Sequence, residues 1–375
     1  MKILYIANSF VPSKTANSIH VMKMCQAFGL LGHDITLLTF DSPNNEEAGI
    51  NDVYSYYGVK NVFSIKKIPL RNVKGKMHLF ALEAVRFAKR FHADLVYTRC
   101  ELPAVYLSYT KIPFVIEAHK PFADADGIKG HFLKRIFQAN NLKRFVAISK
   151  VLEQMFSLHF KKSIDSLVLH DAADIPVGQV NKGLNWKGRD GVLHVGYFGH
   201  LYQGRGVEVI IDMAKSNRDV DFHIVGGRQQ DVDHWRKQLT NLPNLHFYGF
   251  VEPSEVALYR SLCDVLLAPY QREVWVENKG HESSKYMSPL KIFEYMSSKK
   301  CIICSDMPVL REVLNEHNAI LVSPDNTEEW NDALNSCADE ALRTRLANKA
   351  FEDLKENYTW KKRAELSIKG LIDGQ

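Results

Sequence analysis

Short runs of β-branched and aromatic residues alternate with longer amphipathic stretches along almost the whole chain. That alternation marks βαβ units and parallel sheets. The runs predict strands over 2–7, 35–40, 95–98, 113–117, 145–148 and 166–169, with helices over Ser18 to Leu31 and near 77–92. A polar stretch from Ile175 to Gly183 breaks the pattern and reads as a linker. Alternation then restarts, with strands near 192–198, 220–225, 244–248, 264–268, 301–304 and 319–322. The helices between them lie near 206–215, 229–240, 254–262, 289–298, 307–314 and 326–336, and 339–371 is helical without a further strand. The expectation is an α/β protein with a Rossmann-like domain over 1–175, a linker over 176–190 and a second Rossmann-like domain over 191–357. A last helix, 358–375, packs back across the molecule.

A chain of 375 residues exceeds the size at which one core stops growing, which agrees with two domains. Six cysteines are scattered apart from Cys301 and Cys304, which alternation in a strand points to opposite faces. This favours a reducing compartment over disulfides or a metal knuckle. The N-terminal run reads as a first strand and not a signal peptide, and no run approaches the roughly 18 apolar residues of a membrane span. The protein is expected to be cytoplasmic. Charge is uneven: residues 1–182 hold 24 Lys+Arg against 15 Asp+Glu, and the remainder 24 against 28. A basic first half implies an anionic partner. No nucleic-acid motif accompanies the charge, so nucleic acid is not expected.

Ser288-Pro289-Leu290-Lys291-Ile292-Phe293-Glu294 predicts a helix capped by Ser288, with Pro289 at its first position. Lys291 then falls in the first turn, where exposed N–H groups and the dipole favour anions over cations. Taken alone, this is equally a capped helix with Lys291 in solvent. It is also a phosphate site, in which the lysine and the helix end share one anion, with Glu294 a turn further on for hydroxyls. Gly199-His200-Leu201-Tyr202-Gln203-Gly204-Arg205-Gly206 follows a strand and precedes a helix. It is equally a plain βα turn or, together with Lys291, a diphosphate clamp. No Gly-x-Gly-x-x-Gly follows the first strand, which argues against NAD or FAD. In the first half, His119 at a strand's carboxyl end is placed to bond sugar hydroxyls or move a proton. Arg99, at another strand end, is a cleft cation or a surface residue. Asp124-Ala125-Asp126 matches the Asp-x-Asp pattern of some metal-binding transferases, but such pairs arise often by chance and no metal is expected.

In order and spacing these residues resemble the retaining glycosyltransferases of family 4, which have the two-domain GT-B fold. The likeness runs from Asn17-Ser18-Ile19-His20 through Glu117-Ala118-His119, Gly199 to Gly206 and Asp264 to Pro269, and on to Ser288–Met296 and Ser305-Asp306-Met307-Pro308. It implies two domains facing across a cleft. Arg205 stands at the family's diphosphate lysine, whereas His200 replaces a frequent arginine. Glu294 matches the ribose-binding glutamate, and Tyr286 stands where the family's donor-sugar glutamate falls. Backbone from Tyr248 to Val251 is implied at the base, and amides over 287–290, including Ser288 and Leu290, at the donor sugar. Asn17, Ser18 and Arg99 fall on the acceptor side, and His119 orients donor and acceptor. The implied reaction is retaining and metal-free. A sugar leaves a nucleotide diphosphate for a saccharide or lipid-linked saccharide of a cell-surface glycan.

Lys60, Lys66, Lys67, Arg71, Lys74, Lys76, Arg86, Lys89 and Arg90 form a basic cluster. It is suited to peripheral contact with an anionic bilayer or to solvent. Two other readings stay open: a GT-B-like nucleotide-sugar epimerase, and a non-catalytic nucleotide-sugar-binding subunit.

Overall fold

The structure is a computed structural model. It describes every residue except 43–44, 71, 123–126, 159, 161–163, 177–183, 240–241, 277 and 372–375, and gives no side-chain account of 127–129 or 275–282. The Asp124-Ala125-Asp126 reading, Arg71 of the basic cluster and residues 177–183 of the expected linker lie outside the described residues.

The chain forms two compact units, Met1–Asp171 with Trp360–Gln375, and Ala172–Thr359. The first alternates β1 (Lys2–Ile6), α1 (Ala16–Leu30), β2 (Asp34–Asp41), α2 (Val53–Tyr56), β3 (Ser64–Pro69), α3 (Lys76–Phe91) and β4 (Leu95–Thr98). It continues with α4 (Glu101–Leu107), β5 (Phe114–Ala118), α5 (Gly127–Phe137), β6 (Leu142–Ala147), α6 (Lys150–Ser157) and β7 (Ser166–Val168). The seven strands run parallel in the order β3-β2-β1-β4-β5-β6-β7. The order reverses between β1 and β4, the point outside which such sheets bind ligands. All five residues of β5 are buried, as expected of a strand covered on both faces.

The second unit holds β8 (Leu193–Phe198), α7 (Val207–Ser216), β9 (Val220–Val225), α8 (Gln229–Lys237), β10 (Leu245–Gly249), α9 (Val256–Ser261) and β11 (Val265–Ala268). A hairpin of β12 (Trp275–Val276) and β13 (Asn278–Glu282) precedes α10 (Leu290–Ser297), β14 (Cys301–Ser305), β15 (Ile320–Val322), α11 (Thr327–Ser336) and α12 (Glu340–Asn357). Its parallel sheet is ordered β10-β9-β8-β11-β14-β15, with the reversal between β8 and β11. Cys301 and Cys304 join different core clusters, on opposite faces of β14.

Three expectations need correction. Pro289, not Ser288, is the N-cap of α10: its ψ of 123° is extended, so the helix starts at Leu290. The stretch 307–314 makes only a short 3-10 turn over Leu310–Glu312, because Pro308 and the Asn315–Asn318 turn leave little room for a helix. The stretch 339–371 breaks after Asn357, where Tyr358 O accepts from Ala173 N and Thr359 bridges Ala173. A separate α13 (Trp360–Ile368) then packs on α1 of the first unit.

Candidate active site

In the second unit, β8 ends at Phe198 and the 199–206 loop leads into α7. Gly206 caps α7 with φ +77°, and a Cβ there would come within 1.9 Å of Pro269 O. The loop is thereby pressed against the end of β11. Gly206→Ala is expected to destabilise the chain by about 1–3 kcal/mol or more, measured as a shift in urea unfolding midpoint. Gly199, at φ +143°, lets Lys291 approach: a Cβ there would lie 3.1 Å from Lys291 Cε.

These contacts bring two cations to the carboxyl ends of β8 and β11. Lys291 Nζ sits 3.6 Å from the Tyr197 ring centroid and 5.3 Å from that of Tyr270, and the Arg205 guanidinium lies 5.5 Å from the Tyr270 centroid. Among the described residues neither has a salt-bridge partner, and Arg205 Nε is buried without a hydrogen bond. Burial and then the Arg205 charge hold the Lys291 ammonium well below the usual lysine range. The aromatic faces offset part of that cost.

His200 stacks on Tyr202 at 4.8 Å, and Arg228 Nη2 donates to the Tyr202 hydroxyl at 2.9 Å. Burial, then Arg205, Lys291 and Arg228, lower the imidazole to about 4, so His200 is neutral near pH 7 and does not replace an arginine charge. Glu294 Oε2 is held at 3.0 Å by Arg260 Nη1, and Arg260 Nε reaches Ser298 Oγ at 3.1 Å. Glu294 Oε1 bonds none of the described residues. Tyr286 lies half-buried in the turn before α10. Ser288 is buried, the Met287 N–H is taken by Ser283 O and Pro289 has no N–H, so the helix-end donors begin at Leu290. Tyr248 is the penultimate residue of β10, its hydroxyl accepting from Lys187 N at 3.0 Å, and Val251 packs against the core beyond it.

In the first unit, His119 follows β5 and donates from Nε2 to Glu117. Glu117 and His119 are two apart, so an extended chain turns both to one face. The Glu117 carboxylate also accepts from the Tyr97 hydroxyl and, at 2.9 Å, from Arg363 Nη1 of α13. His20 Nε2 lies 3.0 Å from it, and His20 Nδ1 lies 2.8 Å from Asp171 Oδ1. Arg99 Nε is 3.9 Å from Glu117, and its buried Nη1 has no hydrogen-bond partner among the described residues. Burial pushes the Glu117 carboxyl up, but Arg363, His20 and His119 outweigh it and hold the group well below its ordinary value. Burial, then Arg99, lowers His119 to about 3. Ser18 is fully buried, its hydroxyl donated to Ser13 O and Thr15 O, so it fixes the loop and is not placed to touch an acceptor. Asn17 Nδ2 bonds Asn8 O at 3.0 Å.

Residues 18–166 match the family described as Glycosyltransferase Family 4, and residues 192–340 match Glycosyl transferases group 1. The chain belongs to glycosyltransferase family 4. A curated relative, the putative teichuronic acid biosynthesis glycosyltransferase TuaH of Bacillus subtilis (strain 168), is 26% identical over 122 residues. That match spans 32% of this chain and 28% of TuaH. Anabaena Alr3699/HepE, solved with UDP-glucose, covers 99% of both chains at 16% identity with a TM-score of 0.70. Sucrose-phosphate synthase of Thermosynechococcus elongatus covers 97% of this chain and 96% of its own at 15% identity, TM-score 0.74. The fold is GT-B.

Several residues of this family 4 glycosyltransferase's site had no sequence signal. Tyr197 falls within a strand run, Tyr270 just beyond one and Arg260 within a helical stretch, and none of the three stands out as a motif. Arg363 lies 246 positions from Glu117, and only the fold joins them. Glu117 entered only as part of the Glu117-Ala118-His119 run, with no role assigned to it.

Proposed function

We propose that this chain transfers a sugar from a nucleoside-diphosphate-sugar to a saccharide or lipid-linked saccharide acceptor, with retention and without a metal ion. One observation carries this reading: Arg205 and Lys291, from two loop-to-helix junctions, flank Tyr270 with no acidic partner among the described residues. Two half-buried cations with no acidic partner among the described residues suit a diphosphate. The UDP-glucose held by the Anabaena neighbour and the name of TuaH favour a nucleotide-sugar donor and a surface-polymer acceptor.

In this mechanism the acceptor oxygen forms its bond to the anomeric carbon on the face from which the diphosphate departs. The sugar–phosphate bond breaks, and a leaving-phosphate oxygen takes the acceptor's proton. Arg205, Lys291 and the first-turn amides of α10 stabilise charge growing on the diphosphate. Glu294 Oε1 accepts from ribose hydroxyls, and His119 orients the sugars. A ligand-observed NMR screen of nucleotide-sugars is expected to find one that binds and supports acceptor-dependent transfer. Isomerisation of the donor without acceptor overturns the transferase reading in favour of an epimerase, and binding without turnover by the purified chain favours a binding subunit.

Among the described residues no helix is long and apolar enough to cross a membrane. Lys60, Lys66, Lys74, Lys76, Arg86, Lys89 and Arg90 are exposed, as are Val62, Val73 and Leu79. Arg86 is also paired with Glu83, and the half-buried Lys67 with Glu46. Each basic residue near an anionic surface contributes about 1 kcal/mol. The chain is therefore expected to sediment with phosphatidylglycerol vesicles, to ignore phosphatidylcholine and to be released by high salt.

A further inference from the structure

We infer that Arg363 is a positioning residue: through the Glu117 carboxylate, α13 fixes which nitrogen of His119 carries the proton. This rests on the reading above, in which His119 faces the sugars.

Glu117 is wholly buried, and an ionised carboxylate only accepts hydrogen bonds. Its contact with His119 Nε2 therefore requires a proton on that nitrogen. His119 is neutral, so Nδ1 is bare, and it bonds none of the described residues. With 20% of its side chain exposed, the ring presents an acceptor to a hydroxyl, and not an acid. The assignment holds only while Glu117 keeps its charge.

Arg363 is built to keep that charge. Its Nη1 meets Glu117 Oε2 at 2.9 Å, Nε donates to His170 O at 2.8 Å and Nη2 to Leu169 O at 3.2 Å. Both partners of the ion pair are at most 2% exposed. One turn earlier on α13, Trp360 packs edge-on against His20 at 5.1 Å, and His20 in turn packs edge-on against His119 at 4.7 Å. The same helix thus sets both the charge beside His119 and the ring next to it.

Among the described residues the groups facing Glu117 are Tyr97 from β4, His20 from α1, Arg99 after β4, His119 and Arg363, with Asp171 beyond His20 and the buried Tyr5 of β1 within reach of its charge. Of the two arginines, Arg363 is in hydrogen-bond contact and Arg99 is 3.9 Å away. Removing Arg363 raises the Glu117 carboxyl. Once protonated, Glu117 can donate, and His119 Nε2 no longer has to hold the proton.

The test is long-range proton–nitrogen NMR of histidine-labelled protein, read beside kinetics. Wild type is expected to show the Nε2–H form of His119 throughout the neutral range. Arg363→Met is expected to mix the two forms, to move the acidic limb of the rate profile upward and to lower kcat about 100-fold. Nucleoside-diphosphate affinity should stay unchanged, because that site lies on other residues. Arg363→Lys keeps the charge and is expected to restore the Nε2–H form and most of kcat. A folded Arg363→Met protein with the wild-type tautomer and rate profile overturns the inference, leaving Arg363 a purely structural residue. If Arg363→Met does not fold, Glu117→Gln decides: its amide can donate, so an unchanged Nε2–H form contradicts the account. A wild-type chain that transfers no sugar sinks the transferase reading, while the tautomer still answers the question about Arg363.

Discussion

Lys291→Met is expected to slow sugar transfer roughly 10²–10³-fold and, at the same time, to make the ligand-free protein more stable. Lys291 sits over Tyr197 with Arg205 nearby and no carboxylate partner among the described residues. An ammonium so placed opposes folding until an anion arrives. Methionine keeps the packing volume and removes the charge, so unfolding stability should rise by about 1 kcal/mol. The gain appears only where the lysine is charged. A lysine lowered on folding loses its destabilising charge as the pH rises through the folded-state value, which lies below the ordinary 10.5. The difference between variant and wild type should therefore shrink toward alkaline pH. Diphosphate binding to wild type should weaken over the same range, and binding to the variant should be flat. Arg205→Met is expected to match the loss of rate but not the pH dependence, since arginine stays charged throughout.

Glu294→Ala is expected to weaken nucleotide binding about 10–100-fold, as for loss of a charge-assisted hydrogen bond to ribose. The same change leaves Arg260, 6% exposed, without its carboxylate, so stability should fall as well. Glu294→Gln separates the two effects. Its amide oxygen still meets Arg260, so stability should largely return while a smaller affinity loss remains. Calorimetric titration with a nucleoside diphosphate, beside urea unfolding of both variants, measures each part. Equal affinity in wild type and Glu294→Ala removes the ribose assignment.

The fold was legible because parallel strands buried on both faces leave continuous apolar runs, as in β5 and β14. β3 escaped detection because its edge position leaves Lys66 exposed and Lys67 beside Glu46, which breaks the apolar run. Arg205 and Lys291 stood out as a candidate pair because each lies beside a helix start, and the structure brings both to Tyr270. Their aromatic shelf did not stand out, since Tyr197 and Tyr270 look like ordinary buried residues. His200 had no visible charge state, because that depends first on its burial and then on Arg205, Lys291 and Arg228, which only the fold brings near it. The burial of Ser18 was not legible either: its hydroxyl closes on Ser13 and Thr15, a turn that spacing alone does not reveal.

The central claim is that Arg205 and Lys291 bind the diphosphate of a nucleotide-sugar. The direct measurement is titration of wild type and the Arg205→Met/Lys291→Met double variant with a nucleoside diphosphate and the matching monophosphate. Wild type should prefer the diphosphate by at least about 10-fold, and the double variant should bind the two alike. A double variant that keeps the full preference for the diphosphate contradicts the account.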